Sequence, residues 1–199
     1  MLRNLTPMVK NLLLVNIALY VVTDFLGMQV IKYLLMLHSF HSPEFQPYQL
    51  FTHMFLHGGF SHLFLNMLGL FFLGPLLERV WGASRFLIFY MVCGIGAAIL
   101  FATISYFQGA LNPMLGASGA VYGLLMAIGM LFPNTEFMLL FPPIPIKAKY
   151  LALGLGLIAL VSGLNSAPGD NVAHFAHLGG MVVAFILIKI WQSNRQNFY

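Results

Sequence analysis

Residues 86–107 read FLIFYMVCGIGAAILFATISYF, an unbroken apolar run without one charged side chain. A helix of this length, rising 1.5 Å per residue, crosses the ~30 Å hydrocarbon core of a bilayer. In lipid a single segment must satisfy its own backbone hydrogen bonds, and a helix does so. Outward from this run, comparable segments recur at roughly 11–31, 60–78, 116–132, 149–165 and 172–191. Six such segments occupy most of the 199 residues. The predicted fold is therefore an all-α membrane protein, one six-helix bundle over residues 1–199 with no separate soluble domain. Composition agrees: 60% of residues are hydrophobic and 7% are charged, against roughly a quarter charged in soluble domains.

The net charge of +4 follows from topology. With an even number of spans both termini share a side. Arg3, Lys10, Arg79, Arg85, Lys147, Lys149, Lys189 and Arg195 fall on it, and Lys32 falls opposite. Lys/Arg excess marks the cytoplasmic face, so the expectation is a multi-pass protein of the cell (inner) membrane with both ends cytoplasmic. A nucleic-acid patch would need clustered charge on a soluble surface, and no nucleic-acid partner is expected. Arg3 and Lys10 precede an apolar run too long for a signal-peptide core, with no A-x-A site after it, so the first segment is expected to be retained. The lone Cys93 permits no internal disulfide and reads as packing.

The connections differ in character. The outer 32–59 stretch carries Lys32, His38, His41, Pro43, Glu44 and Pro47 among apolar clusters, and is expected to lie in the interface as short amphipathic pieces. Glu78, Arg79 and Gly82 mark an inner turn between the second and third segments. Pro133, Pro142, Pro143 and Pro145 stop any helix between the fourth and fifth. Residues 165–171 are turn-rich.

Polar groups inside apolar helices are costly and usually functional. His62 and Asn66 open the second segment, Ser118 opens the fourth and His177 lies about six residues into the sixth. All three segments descend from the outer face, which puts the four side chains within roughly 10 Å of one boundary. A serine becomes nucleophilic when a base removes its proton, and His177 is the candidate base if the fourth and sixth segments touch. Gly119, Gly123 and Ala127 at i, i+4, i+8, facing Gly180 and Ala184, form small-residue stripes that permit close approach. The same stripes also occur as plain packing devices. His62 and Asn66 share a helical face and, with the Ser118 N–H at a helix N-terminus, are candidates to stabilise an oxyanion. A lone buried Asn also serves as an interhelical hydrogen-bonding group. Tyr122, one turn past Ser118, can pack on the His177 ring. No acid suits a third member: Glu78 and Glu136 sit at the wrong face, and Asp170 is seven residues from His177 in a loop. A Ser–His dyad is the reading.

The string His53-x3-His57-x4-His62-x3-Asn66, then Gly116-x-Ser118-Gly119 with Tyr122, then Ala176-His177-Leu178-Gly179-Gly180, resembles the rhomboid family of intramembrane serine proteases. The three motifs occur in order and span the second to sixth segments. The resemblance implies Ser118 as nucleophile and His177 as base, with His62, Asn66 and backbone N–H groups at the oxyanion. It implies structural hydrogen bonding by His53 and His57, supporting roles for Gly116, Gly119, Tyr122 and Gly180, and a membrane-embedded first connection. Glu78-Arg79 followed by Gly82 is similar to the family's motif at the end of the second segment. Three features depart. Tyr48-Gln49 stands where many members have Trp-Arg, Ala184 where glycine is common, and His174 is an extra histidine one turn before His177.

The expected function is a serine endopeptidase that cuts transmembrane segments near the outer face through an acyl-enzyme. Its partners would be single-pass membrane proteins and the lipid bilayer, and no cofactor or metal is expected. The competing reading is a metal or haem binder using the His53/His57 pair at i, i+4. It is disfavoured because no Cys or acid joins the cluster and H-E-x-x-H is absent.

Overall fold

The computed structural model describes residues 5–139, 142–165 and 172–193. Within them the chain is mostly helical. The helices are α1 (Pro7–Tyr20), α2 (Gln29–Leu35), α3 (Gln49–Thr52), α4 (Phe60–Gln108), α5 (Ser118–Leu131), α6 (Ala148–Asn165) and α7 (Val172–Ser193). The apolar segments at Pro7–Phe25, Phe60–Gln108, Ala148–Asn165 and His174–Ser193 are long enough to cross a membrane, and α5 is a shorter apolar helix.

The first segment departs from its expected 11–31 limits. It starts at Pro7, whose fixed φ and missing N–H suit a first helical turn. It ends through a π-helical turn at Val21–Phe25. Gly27 then takes a φ of 72°, which reverses the chain. The apolar residues beyond form α2, which leaves Val30 and Leu34 exposed. The first amides of α1 are capped from a distance. The buried Glu78 carboxylate accepts the Met8 and Val9 N–H groups, each at 2.9 Å, and the Thr6 hydroxyl. Such amides have no intrahelical acceptor, and a carboxylate there also complements the helix dipole.

Segments 60–78 and 86–107 are two arms of α4. Its 49 residues would reach about 73 Å if straight, far more than one bilayer core. Gly82 breaks it with φ 76° and ψ 163°. The arms fold back on each other, so that the Phe86 ring sits 3.3 Å from where a Cβ on Gly74 would be. Between α5 and α6 the prolines do end the helix. The chain there forms an antiparallel hairpin, β1 (Glu136–Met138) on β2 (Pro145–Lys147), with Phe137 opposite Ile146. This small sheet is an addition to an otherwise helical chain, which fits the all-α expectation. It arises because the turn brings two short β-compatible runs together, and Pro145 at a strand start costs no ladder bond.

The bundle centre is α4, α5 and α7 packed mutually, with α1 against α4 and α6 against α5 and α7. Helices in lipid gain association from van der Waals fit, which small residues allow. A Cβ on Gly180 would lie 1.9 Å from the Gly119 carbonyl oxygen, and one on Gly119 would lie 2.4 Å from the Ala97 Cβ. The expected stripes therefore meet at Gly119 and Gly180, which join α5 to α7 in a seam. The α5 stripe also packs on α4 through Ala97 and Cys93, and Ala184 is fully buried in the core. Cys93 is buried beside Gly123, as packing requires.

Candidate active site

Ser118 is the first residue of α5, where the leading amides lack helical acceptors and the dipole is positive. The approach to it is fixed by Gly116, whose φ of 126° suits glycine alone. A Cβ at Gly116 would also lie 2.7 Å from the His62 Nε2. Two ties secure this approach. Met114 and Leu37 exchange backbone bonds of 2.8 and 2.9 Å, and the Gly116 N–H donates to the His53 carbonyl at 2.9 Å. Periodicity offered no sign of these ties, which join irregular segments far apart in sequence.

His177 projects from α7 onto the serine, and its Nε2 lies 2.8 Å from Ser118 Oγ. The hydroxyl can donate along this contact, so the imidazole is set as proton acceptor. Tyr122 stacks on its face, with centroids 4.3 Å apart and planes 4° from parallel. The buried Nδ1 has no hydrogen-bond partner among the described residues. Stacking on Tyr122 is therefore the ring's visible lateral support. His174 meets the His177 ring edge-on at 6.3 Å, and Asp170 lies outside the described residues.

His62 and Asn66 sit together on the first turns of α4. The Gly58 N–H donates to His62 Nδ1 at 3.3 Å. That bond assigns the ring proton to Nε2, the ring nitrogen nearer Gly116. The Asn66 Nδ2 donates to the His62 carbonyl at 2.9 Å. This bond lies within one helix, unlike the interhelical bond expected of a structural Asn, and it leaves a second N–H on the amide.

His53 and His57 differ from each other. His53 is buried and its Nδ1 bonds the Gln49 carbonyl at 2.9 Å, while its own carbonyl holds Gly116. His57, expected to hydrogen-bond, has neither ring nitrogen paired among the described residues. Its ring instead packs edge-on against His62 at 5.2 Å. Burial pushes the His53 pKa down to about 4. Burial, then the charge of His62, takes that of His57 to about 3. Both rings are thus neutral at physiological pH. Among the described residues no three His, Cys, Asp or Glu side chains gather into a group that could hold a metal ion. His53 and His57 in particular face different partners.

Residues 44–193 match the family model described as the Rhomboid domain. RHOMBOID-like protein 4 of Arabidopsis thaliana is 38% identical over 132 residues, 66% of this chain and 31% of that protein. YdcA of Bacillus subtilis (strain 168) is 32% identical over 156 residues, covering 76% of this chain and 71% of its own. Rhomboid protease GluP of the same organism is 30% identical over 142 residues, 69% of this chain and 25% of that protein. The chain thus spans about a third or less of two of these relatives and most of the third. With the family model covering three quarters of its length and the serine and histidine in hydrogen-bond contact, the chain belongs to the rhomboid family.

Proposed function

We propose that this chain is an intramembrane serine endopeptidase acting through a Ser118–His177 dyad. The observation that carries the reading is the 2.8 Å contact between Ser118 Oγ and His177 Nε2 in an apolar bundle. Ser118 Oγ attacks the scissile carbonyl carbon as His177 takes its proton. The resulting oxyanion is met by the Ser118 N–H, His62 Nε2–H and the second Asn66 N–H. His177 passes its proton to the leaving amine, the C–N bond breaks, and an acyl-enzyme remains. Water then attacks, giving its proton to His177, and Ser118 leaves the acyl carbon and recovers that proton. Each donor aimed at the oxyanion contributes roughly 3–4 kcal/mol in comparable sites.

The membrane arrangement we propose has six spans: α1, the two arms of α4, α5, α6 and α7. Residues 1–199 form one unit, with both termini cytoplasmic in the cell (inner) membrane. The 14 residues of α5 reach about 21 Å, short of the ~30 Å core. With its inner end at the boundary, Ser118 lies sunk below the outer surface, and the 110–117 segment descends to it. Cleavage would occur there, in single-pass membrane proteins whose helix unwinds to expose a carbonyl. Labelling the purified protein with a fluorophosphonate tests the reading. Wild type is expected to be labelled, and Ser118→Ala and His177→Ala are not. Equal labelling of wild type and Ser118→Ala would remove Ser118 as nucleophile.

A further inference from the structure

The first outer connection contains little regular structure, so its backbone polar groups need other partners. One side chain supplies many of them. Gln49 is 1% exposed. Its Oε1 accepts the N–H groups of His38 at 3.3 Å and Gln46 at 3.1 Å. Its Nε2 donates to the carbonyls of Leu34 at 3.1 Å and Glu44 at 3.0 Å. A primary amide has two donors and a carbonyl with two accepting sites, and here all four are used on backbone.

These bonds fall where the nucleophile segment is held. His38 follows Leu37, the residue paired with Met114, so Gln49 Oε1 fixes one tie from the next position. The Gln49 carbonyl accepts from the His53 ring, and the His53 carbonyl accepts from Gly116. The two ties, on Met114 and on Gly116 a few residues ahead of Ser118 and beside the His62 ring, therefore converge on Gln49.

We propose that Gln49 is a positioning residue for the reaction, a clasp that sets the Met114–Ser118 segment and so aligns the nucleophile with its oxyanion donors. The inference rests on the serine-protease reading of Ser118. Apolar, isosteric Gln49→Met removes all four bonds. Gln49→Glu keeps the accepting oxygens but turns lone pairs toward the Leu34 and Glu44 carbonyls. Displacing reacting groups by about 1 Å costs on the order of 10²-fold in rate.

Gln49→Met is therefore expected to slow fluorophosphonate labelling of Ser118, per folded molecule, by on the order of 10²-fold, with an intermediate loss in Gln49→Glu. For a transmembrane substrate the loss should fall on kcat, with KM little changed. Tyr48→Phe removes the neighbouring Tyr48 Oη bond to the Leu34 carbonyl and should label at the wild-type rate. Amide exchange at Met114 and Gly116 should quicken in the Gln49 variants relative to amides in the α5–α7 seam. Wild-type labelling in either folded Gln49 variant, or unchanged exchange at Met114 and Gly116, overturns the proposal. An unlabelled wild type sinks the protease reading instead, and exchange still decides the clasp.

Discussion

At the scale of single residues, Asn66 and His57 invite tests whose outcomes differ in kind. Charge on the scissile oxygen develops only in the transition state, so a donor aimed at it acts on the catalytic step. Asn66→Ala is expected to lower kcat by on the order of 10²–10³ with little change in KM. Kinetics and thermal stability measured on one preparation check this, and a large stability loss with normal activity per folded molecule would remove Asn66 from the site. His174→Ala should keep substantial activity in the same assay, since His177 already contacts Ser118. His53 and His57 stay neutral in the folded protein down to about pH 4 and pH 3, while the ordinary value is 6.5. Below 6.5 the unfolded chain binds more protons than the folded one. Stability is therefore full above pH 6.5 and falls as pH drops toward 4, by up to about 1.4 kcal/mol per pH unit for each ring. His57→Phe should flatten this slope in melting curves recorded across pH 4–7, and an unchanged slope would exclude His57 as a contributor. Ser118, His177 and Tyr122 were legible in the sequence because helical spacing fixes depth and face. Gln49 was legible only as a departure from the family's pattern. Its partners lie in irregular chain, where no period relates position to direction.

At the scale of elements, the α5–α7 seam decides whether the dyad can form. The Gly180 Cα faces the Gly119 carbonyl, a backbone atom that cannot swing aside. Gly180→Ala must part the helices, with an overpacking cost of about 1–3 kcal/mol and a loss of activity on the order of 10²-fold from misplacement. By contrast Gly154, in the middle of α6, has nothing within 4 Å of an added Cβ. Gly154→Ala should hold activity and raise stability by up to about 1 kcal/mol. Measuring both variants in one assay separates seam geometry from helix propensity, and normal activity in Gly180→Ala would show that the seam tolerates spreading. Small-residue spacing made this seam readable in advance. The Gly82 break was readable too, since glycine at a charged helix end marks a turn. The β1–β2 hairpin was hidden: prolines announce where a helix stops, but not what the chain does next. The start of α1 was misread because Lys10 looked like a boundary, whereas its true stop is Pro7 with a cap supplied from α4.

For the whole molecule, the asymmetry of Lys and Arg predicts which way the bundle faces. An alkaline phosphatase reporter, active only outside the cytoplasm, should be inactive when fused at either end and active when inserted near residues 41–44. Activity at the ends would invert the arrangement and move the site to the other face. The Glu78 cap carries a consequence for how such a molecule is made. The carboxylate that closes the start of α1 is encoded about 70 residues after the amides it serves. At a synthesis rate of roughly 5–20 residues per second, the first helix leaves the ribosome several seconds before its cap exists. It must enter the bilayer as a provisional tenant, its leading amides held by water, and become anchored only when the first arm of α4 arrives beside it. A nascent chain halted before residue 78 should therefore contain an inserted but undocked first helix.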